Sequence, residues 1–135
     1  PKSSQYKWLD EQLSKNTGRW KIVFMHHPPF ACSVARKPGN KNAIRDLVPL
    51  FERHGVHLVL LGHDHLYGRS RDINGVHYII SGGAGSYLYK CRPDENMVVC
   101  ERKYNYVRFK VGESKINWTA FDKAGGIIEE YSIGN

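Results

Sequence analysis

Two short apolar runs dominate the hydrophobic pattern of this chain. Residues 20–25 read WKIVFM and residues 56–61 read VHLVLL, and each run ends at histidine, proline or glycine. Runs of this length are typical of strands buried on both faces of a parallel sheet. Apolar residues at helical spacing lie between them, from Asn40 or Asn42 to about His54. The pattern therefore predicts a βαβ unit with two parallel strands.

Further elements flank this unit. A first helix is predicted from Ser3 or Ser4 to about Lys15, because a serine can cap it and its apolar residues share one face. Pro49 should kink the second helix or mark its true first turn. The Asn74-Gly75 pair predicts a type I′ turn in a hairpin over residues 71–80.

The C-terminal part of the chain alternates short apolar segments with turn residues. Three strands are predicted there, at about residues 104–111, 115–122 and 127–133, whereas residues 87–103 are predicted to form an irregular surface loop. No repeat or interdomain linker is evident. The pattern thus favours one α/β unit over residues 1–135, with a mixed β-sheet and flanking helices.

Composition and charge exclude several classes of protein. The 135 residues are 41% hydrophobic and 24% charged, which is ordinary globular composition. No apolar run approaches the roughly 20 residues that a membrane span requires, so no membrane association is expected. The net charge of +7 is spread over scattered basic residues without a basic stripe. A solvated basic surface is therefore favoured over a nucleic-acid interface.

The three cysteines leave two interpretations open. None belongs to a C-x-x-C pair, so a thiolate zinc site is not indicated. Cys91 and Cys100 flank a loop-like segment and could close a short disulfide loop, which would favour an extracytoplasmic or secreted location. Reduced thiols are the alternative, and the localisation stays undetermined.

Histidines follow both predicted parallel strands. His26 and His27 come after the first strand, and His63 and His65 flank Asp64 after the second. Because the carboxyl ends of neighbouring parallel strands lie about 4.8 Å apart, these imidazoles should approach one small volume. We expect His26, His63 and His65 to bind a transition metal. Asp64 should point away from the metal and support its neighbours.

The residues that carry this pattern resemble a known family. IVFMHHPPF, then VLLGHDHLYGRS and NGVHYIISGGAG, are similar to the C-terminal half of a calcineurin-like metallophosphoesterase, in particular one of the purple acid phosphatase type. The resemblance covers about residues 5–85, although Gly68 stands where purple acid phosphatases usually have Glu. It implies the C-terminal half of a four-layer αββα metallophosphoesterase sandwich that hydrolyses phosphate esters.

The resemblance also implies roles for individual residues. His26 and His63 would bind one metal ion and His65 the other, in a site for two divalent or mixed-valence transition metal ions (Fe, Zn or Mn). His27 and Tyr67 would contact the incoming phosphate ester. His27 would also act as a catalytic group by protonating the leaving oxygen.

The carboxylate motifs of the family do not occur in this sequence. We therefore expect residues 1–135 to be the C-terminal part of a metallophosphoesterase domain, with incompletely ligated metals and no activity by itself. Its partner would be the missing N-terminal half of the same protein. The alternative is a non-catalytic metal- or phosphate-binding module that uses the same histidines.

Overall fold

Two β-sheets lie face to face in the computed structural model, which describes residues 3–134. The helices are α1 (Ser4–Lys15), α2 (Lys41–Asp46) and α3 (Val48–Arg53). The five-stranded sheet contains β1 (Ile22–Met25), β2 (Leu58–Leu61), β3 (Tyr67–Ser70), β4 (His77–Ser81) and β5 (Met97–Glu101), in the order β1-β2-β4-β3-β5. The three-stranded sheet contains β6 (Asn105–Val111), β7 (Lys115–Asp122) and β8 (Ile127–Gly134).

The predicted parallel unit is present. β1 pairs with β2 in parallel, with Ile22 opposite Leu58 and Met25 opposite Leu61. β2 also pairs in parallel with β4, whereas β3 runs antiparallel to both β4 and β5. The sheet is therefore mixed, as predicted, and β1 and β2 end at the same edge.

Local sequence explains the helices. Ser3 caps α1 by accepting a hydrogen bond from the Tyr6 N–H, and Asn40 caps α2 by accepting two. The expected second helix divides into α2 and α3 at Leu47, because Pro49 lies in the first turn of α3 and lacks an amide donor. Within residues 3–134 the longest helix has 12 residues, and no helix is long and apolar enough to cross a membrane.

Two apolar clusters hold the layers together. The side chains of Val59, Leu61 and Ile80 pack with α1 and α3 in one cluster. Those of Leu58 and Ile79 face the three-stranded sheet and form a second cluster, whose other members include Tyr67, Ile116 and Trp118. The side chains of β2 thus alternate between the two faces of its sheet, as expected for a strand buried on both sides.

Two expectations from the sequence were wrong in this region. Residues 97–101 form strand β5 instead of surface loop, because Met97 and Cys100 are buried when β5 pairs with β3. The hairpin begins at β3, earlier than predicted, although Asn74 and Gly75 do form its turn with positive φ. The structure also pairs Cys32 with Cys100 in a disulfide and leaves Cys91 as a free thiol.

Candidate metal centre

The candidate site lies where β1 and β2 end. The Gly62 N–H donates to the carbonyl of His26, which extends the pairing of the strands by one bond. His63 then adopts φ +66°, so the left-handed residue of this turn is His63 and not the neighbouring Gly62. Positive φ is uncommon outside glycine and concentrates at functional sites. The turn redirects the chain immediately after the strand.

Three imidazoles converge at this edge. One ring nitrogen each of His26, His27 and His63 lies within 4.8 Å of the others. Nδ1 of His63 and Nε2 of His26 are 3.3 Å apart, and the His27 and His63 ring centroids are separated by 4.2 Å. His26 and His63 thus meet as the sequence predicted, but the third member is His27 instead of His65.

The surroundings of His63 favour its neutral imidazole. Burial lowers the pKa of His63, and the positive charge of Arg36 lowers it further. A neutral imidazole keeps a lone pair for a transition metal. Since the cluster offers nitrogen donors at short separations, its residues fit a metal ion held by His26 and His63.

His65 lies beside this cluster and not within it. Its Nδ1 is 3.0 Å from the carbonyl oxygen of Tyr87, and its ring stacks on Tyr89 at 4.5 Å. The carbonyl can only accept, so Nδ1 of His65 donates, and Nε2 is the ring nitrogen left to face a metal. A backbone carbonyl commonly orients a metal-binding histidine in this way. His65 could therefore bind a metal through Nε2 and not through Nδ1.

Asp64 is fully buried and points away from the histidine nitrogens. Its Oδ2 accepts a hydrogen bond from the Ser33 N–H at 3.2 Å, and its Oδ1 lies 3.6 Å from Nε of Arg36. The side chain therefore ties the β1–α2 loop to the turn that carries His63. Asp64 thus takes a supporting position, held by its hydrogen bond to Ser33 and its proximity to Arg36.

Arg36 is a site residue that the sequence analysis did not identify. Its Nη1 lies 2.5 Å from Nε2 of His63, and its Nη2 donates to the hydroxyl of Tyr89 at 2.9 Å. Arg36 lies in the loop between β1 and α2. Which residue of that loop reaches the histidines depends on contacts that are distant in sequence.

Tyr67 lies outside the site. It is fully buried in the second apolar cluster, where its hydroxyl donates to Glu129 at 2.7 Å and accepts from the Trp118 indole at 3.3 Å. Burial and the Glu129 carboxylate raise the pKa of the Tyr67 phenol. The side chain points between the two sheets, so the structure does not bring it to the position expected for a substrate contact.

The backbone at Gly82 lies close to the turn that carries His63. A Cβ atom on Gly82 would lie 2.0 Å from the carbonyl oxygen of Asp64, which is far inside van der Waals contact. Glycine at position 82 therefore lets the segment that follows β4 pack directly against the turn that carries His63.

Comparisons with known proteins identify sequences and structures that this chain resembles. The family model for calcineurin-like phosphoesterases matches residues 1–67. The chain is 31% identical over 109 residues to human tartrate-resistant acid phosphatase type 5, covering 81% of this chain and 31% of that protein. It is 32% identical over 95 residues to purple acid phosphatase 17 of Arabidopsis thaliana, covering 70% of this chain and 27% of that one. The chain thus spans about a third of the length of these relatives.

Solved structures show the same fold. A purple acid phosphatase from yellow lupin (Lupinus luteus) seeds superposes with a TM-score of 0.91 at 17% identity, covering 98% of this chain and 28% of that one. GAP50, the anchor in the inner membrane complex of Plasmodium, superposes with a TM-score of 0.82 at 19% identity, covering 96% and 41%.

The strand-end histidines, the mixed sheet and these matches define the class. The chain belongs to the calcineurin-like phosphoesterase family. Within that family it is of the purple acid phosphatase type, which confirms the resemblance seen in its motifs.

Proposed function

We propose that this chain supplies the histidine ligands of a dinuclear metal centre that hydrolyses phosphate esters. The observation that carries the proposal is the meeting of His26 Nε2 and His63 Nδ1, 3.3 Å apart, at the shared edge of β1 and β2. The names of the relatives, which are acid phosphatases, support a phosphoesterase as the parent activity.

The ligand assignment follows from the nitrogen lone pairs. His26 and His63 would hold one metal ion between Nε2 and Nδ1, and His65 would hold the second through Nε2. Iron, zinc and manganese all accept imidazole nitrogen, so the donor set is compatible with each of them. Metal ions bound here would polarise the phosphoryl oxygens and supply a hydroxide nucleophile.

Charge balance indicates that further ligands come from elsewhere. Neutral imidazoles leave two divalent ions uncompensated, and bringing such charges together without anionic ligands is costly. Asp64 is already bonded to Ser33 and lies beside Arg36. We therefore propose that carboxylate ligands lie outside these 135 residues, on the N-terminal half of the same domain, and that this chain by itself is inactive.

His27 is the candidate proton donor. It is exposed and lies beside His63, with ring centroids 4.2 Å apart. A histidine with access to solvent next to a phosphoryl group could transfer a proton to the departing alkoxide or phenoxide oxygen. In this proposal His27 contacts the phosphate ester and acts on the leaving group, whereas Tyr67 remains in the core.

The test is metal-dependent hydrolysis of p-nitrophenyl phosphate by the longest protein that the gene encodes. His26→Ala and His63→Ala should each lower turnover at least about 100-fold and reduce bound metal measured by mass spectrometry. His54→Ala is the matched control, since His54 binds Asp10 at the end of α3. Unchanged turnover and metal content in the first two variants would contradict the proposal.

A non-catalytic metal- or phosphate-binding module is the second candidate. It is favoured by one observation: within residues 3–134, the only grouped metal donors are histidine nitrogens, with no carboxylate among them. The same experiment separates the two candidates. Stoichiometric metal that depends on His26 and His63, without any hydrolysis, would favour the binding module.

A further inference from the structure

Arg36 extends from the β1–α2 loop across the mouth of the histidine cluster. Its guanidinium lies between His63 and Tyr89, and its carbon Cζ is 5.1 Å from the centre of the Tyr89 ring. It is half-buried beside the fully buried carboxylate of Asp64. These contacts come from three different segments of the chain, so they position the cation in one place.

This guanidinium is incompletely bonded. Nε of Arg36 and Oδ1 of Asp64 are both buried without a hydrogen-bond partner, although they lie 3.6 Å apart. Arginine carries five N–H donors, and only those toward His63 and Tyr89 are engaged among the side-chain contacts of this cluster. Arg36, His27 and His63 also line a cavity of about 290 Å³, together with Asp64, and this cavity has room for an anion beside the guanidinium.

The contact between Arg36 and His63 depends on which nitrogen of His63 carries the proton. A guanidinium only donates, so His63 Nε2 must accept and its Nδ1 must carry the hydrogen. The proposed metal site requires the opposite arrangement, because the lone pair would then be on Nδ1, facing His26. If a metal ion bound Nδ1 of His63, Nε2 would carry the hydrogen and Nη1 of Arg36 would lose its acceptor.

The other contacts of Arg36 do not depend on the metal. The Tyr89 hydroxyl and the Asp64 carboxylate would still hold the guanidinium at the mouth of the cavity. A cation with a freed donor beside an open cavity favours an anion with two adjacent oxygens, because a planar guanidinium binds such groups bidentately. A phosphoryl group has this chemistry.

We propose that Arg36 binds the phosphoryl group of the substrate, positioned by Asp64 and Tyr89, and that filling of the metal site releases it from His63. This inference rests on the proposed function and adds a specificity-determining cation to it. It also assigns a purpose to the ion pair between Arg36 and the buried Asp64, which joins the β1–α2 loop to the His63 turn.

The test uses the longest protein that the gene encodes, loaded with zinc, and measures its binding of inorganic phosphate by calorimetry, together with its affinity for zinc itself. Arg36→Ala should weaken phosphate binding about 10- to 100-fold, whereas Arg36→Lys should retain part of it, since lysine keeps the charge but not the planar fork. Tyr89→Phe removes only the hydroxyl and should weaken phosphate binding several-fold. Arg92→Ala, an exposed arginine of the following segment, is the control and should match the wild type.

Zinc affinity gives a readout independent of turnover. Arg36→Ala should bind zinc as tightly as the wild type or more tightly, because a competing cation has left His63. Phosphate affinity within twofold of the wild type in Arg36→Ala and Tyr89→Phe, or a loss of zinc affinity in Arg36→Ala, would overturn the role of Arg36.

Failure of this inference can be distinguished from failure of the proposed function. If the wild-type protein binds zinc and hydrolyses p-nitrophenyl phosphate, but replacing Arg36 leaves the phosphate affinity unchanged, this inference alone is overturned. A wild-type protein that neither binds zinc nor hydrolyses the ester overturns the proposed function and the inference with it. Should Arg36→Ala fail to fold by circular dichroism, Arg36→Lys and Tyr89→Phe decide the outcome by the same phosphate titration.

Discussion

The disulfide between Cys32 and Cys100 should contribute a large part of the stability of this fold. It joins the β1–α2 loop to β5 across 68 positions of sequence, and its Cα atoms are 6.1 Å apart. Closing a loop of that length restricts the unfolded chain by about 4 kcal/mol in the chain-entropy treatment. Domains of this size are stable by only about 5–15 kcal/mol, so the loss would be severe.

Replacing both cysteines by alanine should therefore lower the free energy of unfolding by about 4 kcal/mol. For a domain of this length, that corresponds to a fall in melting temperature of roughly 10–15 °C. The assay is urea unfolding followed by circular dichroism, for the wild type with and without reductant and for the double variant. Reductant should destabilise the wild type and leave the Cys32→Ala/Cys100→Ala variant unchanged.

The free thiol of Cys91 supplies the control. Cys91→Ala should keep the full effect of reductant, and peptides mapped without reduction should link Cys32 to Cys100. A Cys91→Ala variant that has become insensitive to reductant, together with a Cys91–Cys100 peptide, would refute the pairing. The stability argument would then apply to a much shorter loop, and its magnitude would fall.

Three further predictions concern packing, protonation and capping. Gly82→Ala places a Cβ against the Asp64 carbonyl and should cost at least about 1–3 kcal/mol in urea unfolding and weaken zinc binding, whereas Gly85→Ala, with open space around it, should cost far less. Burial lowers the pKa of His77, so the unfolded state binds more protons than the folded state as the pH falls through about 6.5. The free energy of unfolding should therefore drop between pH 7.5 and 5.5. A His77→Gln variant with the same drop would contradict this. Asn40→Ala removes the cap of α2 and should lower the free energy of unfolding by about 1 kcal/mol in the same assay. Equal urea midpoints for Asn40→Ala and the wild type would contradict this.

Much of the framework near the site was predictable because its signals are local. The apolar runs of β1 and β2, the caps at Ser3 and Asn40 and the Asn74-Gly75 turn each depend on neighbouring residues. The parallel pairing of β1 and β2 followed from the length of the connection between them. The meeting of His26 and His63 followed in turn from that pairing.

Other parts of the site could not be read from local signals. His63 adopts a left-handed backbone, so strand alternation fails at that residue and His65 turns toward Tyr87 and Tyr89. His27 takes the third place in the cluster instead. Tyr67 was expected near substrate but begins a strand whose buried face packs on the second sheet.

The sequence by itself determined which groups could do the chemistry: histidines after two buried strands, in motifs that define the family. Only the tertiary structure decided how they are arranged, because the partners of Cys32, Arg36 and Asp64 are 27 to 68 positions away or lie on other loops. Periodicity and capping are short-range effects and carry no information about such pairings. Packing between residues that are distant in sequence pairs Cys32 with Cys100 and not with Cys91. The same packing places Arg36 beside His63 at the candidate metal centre.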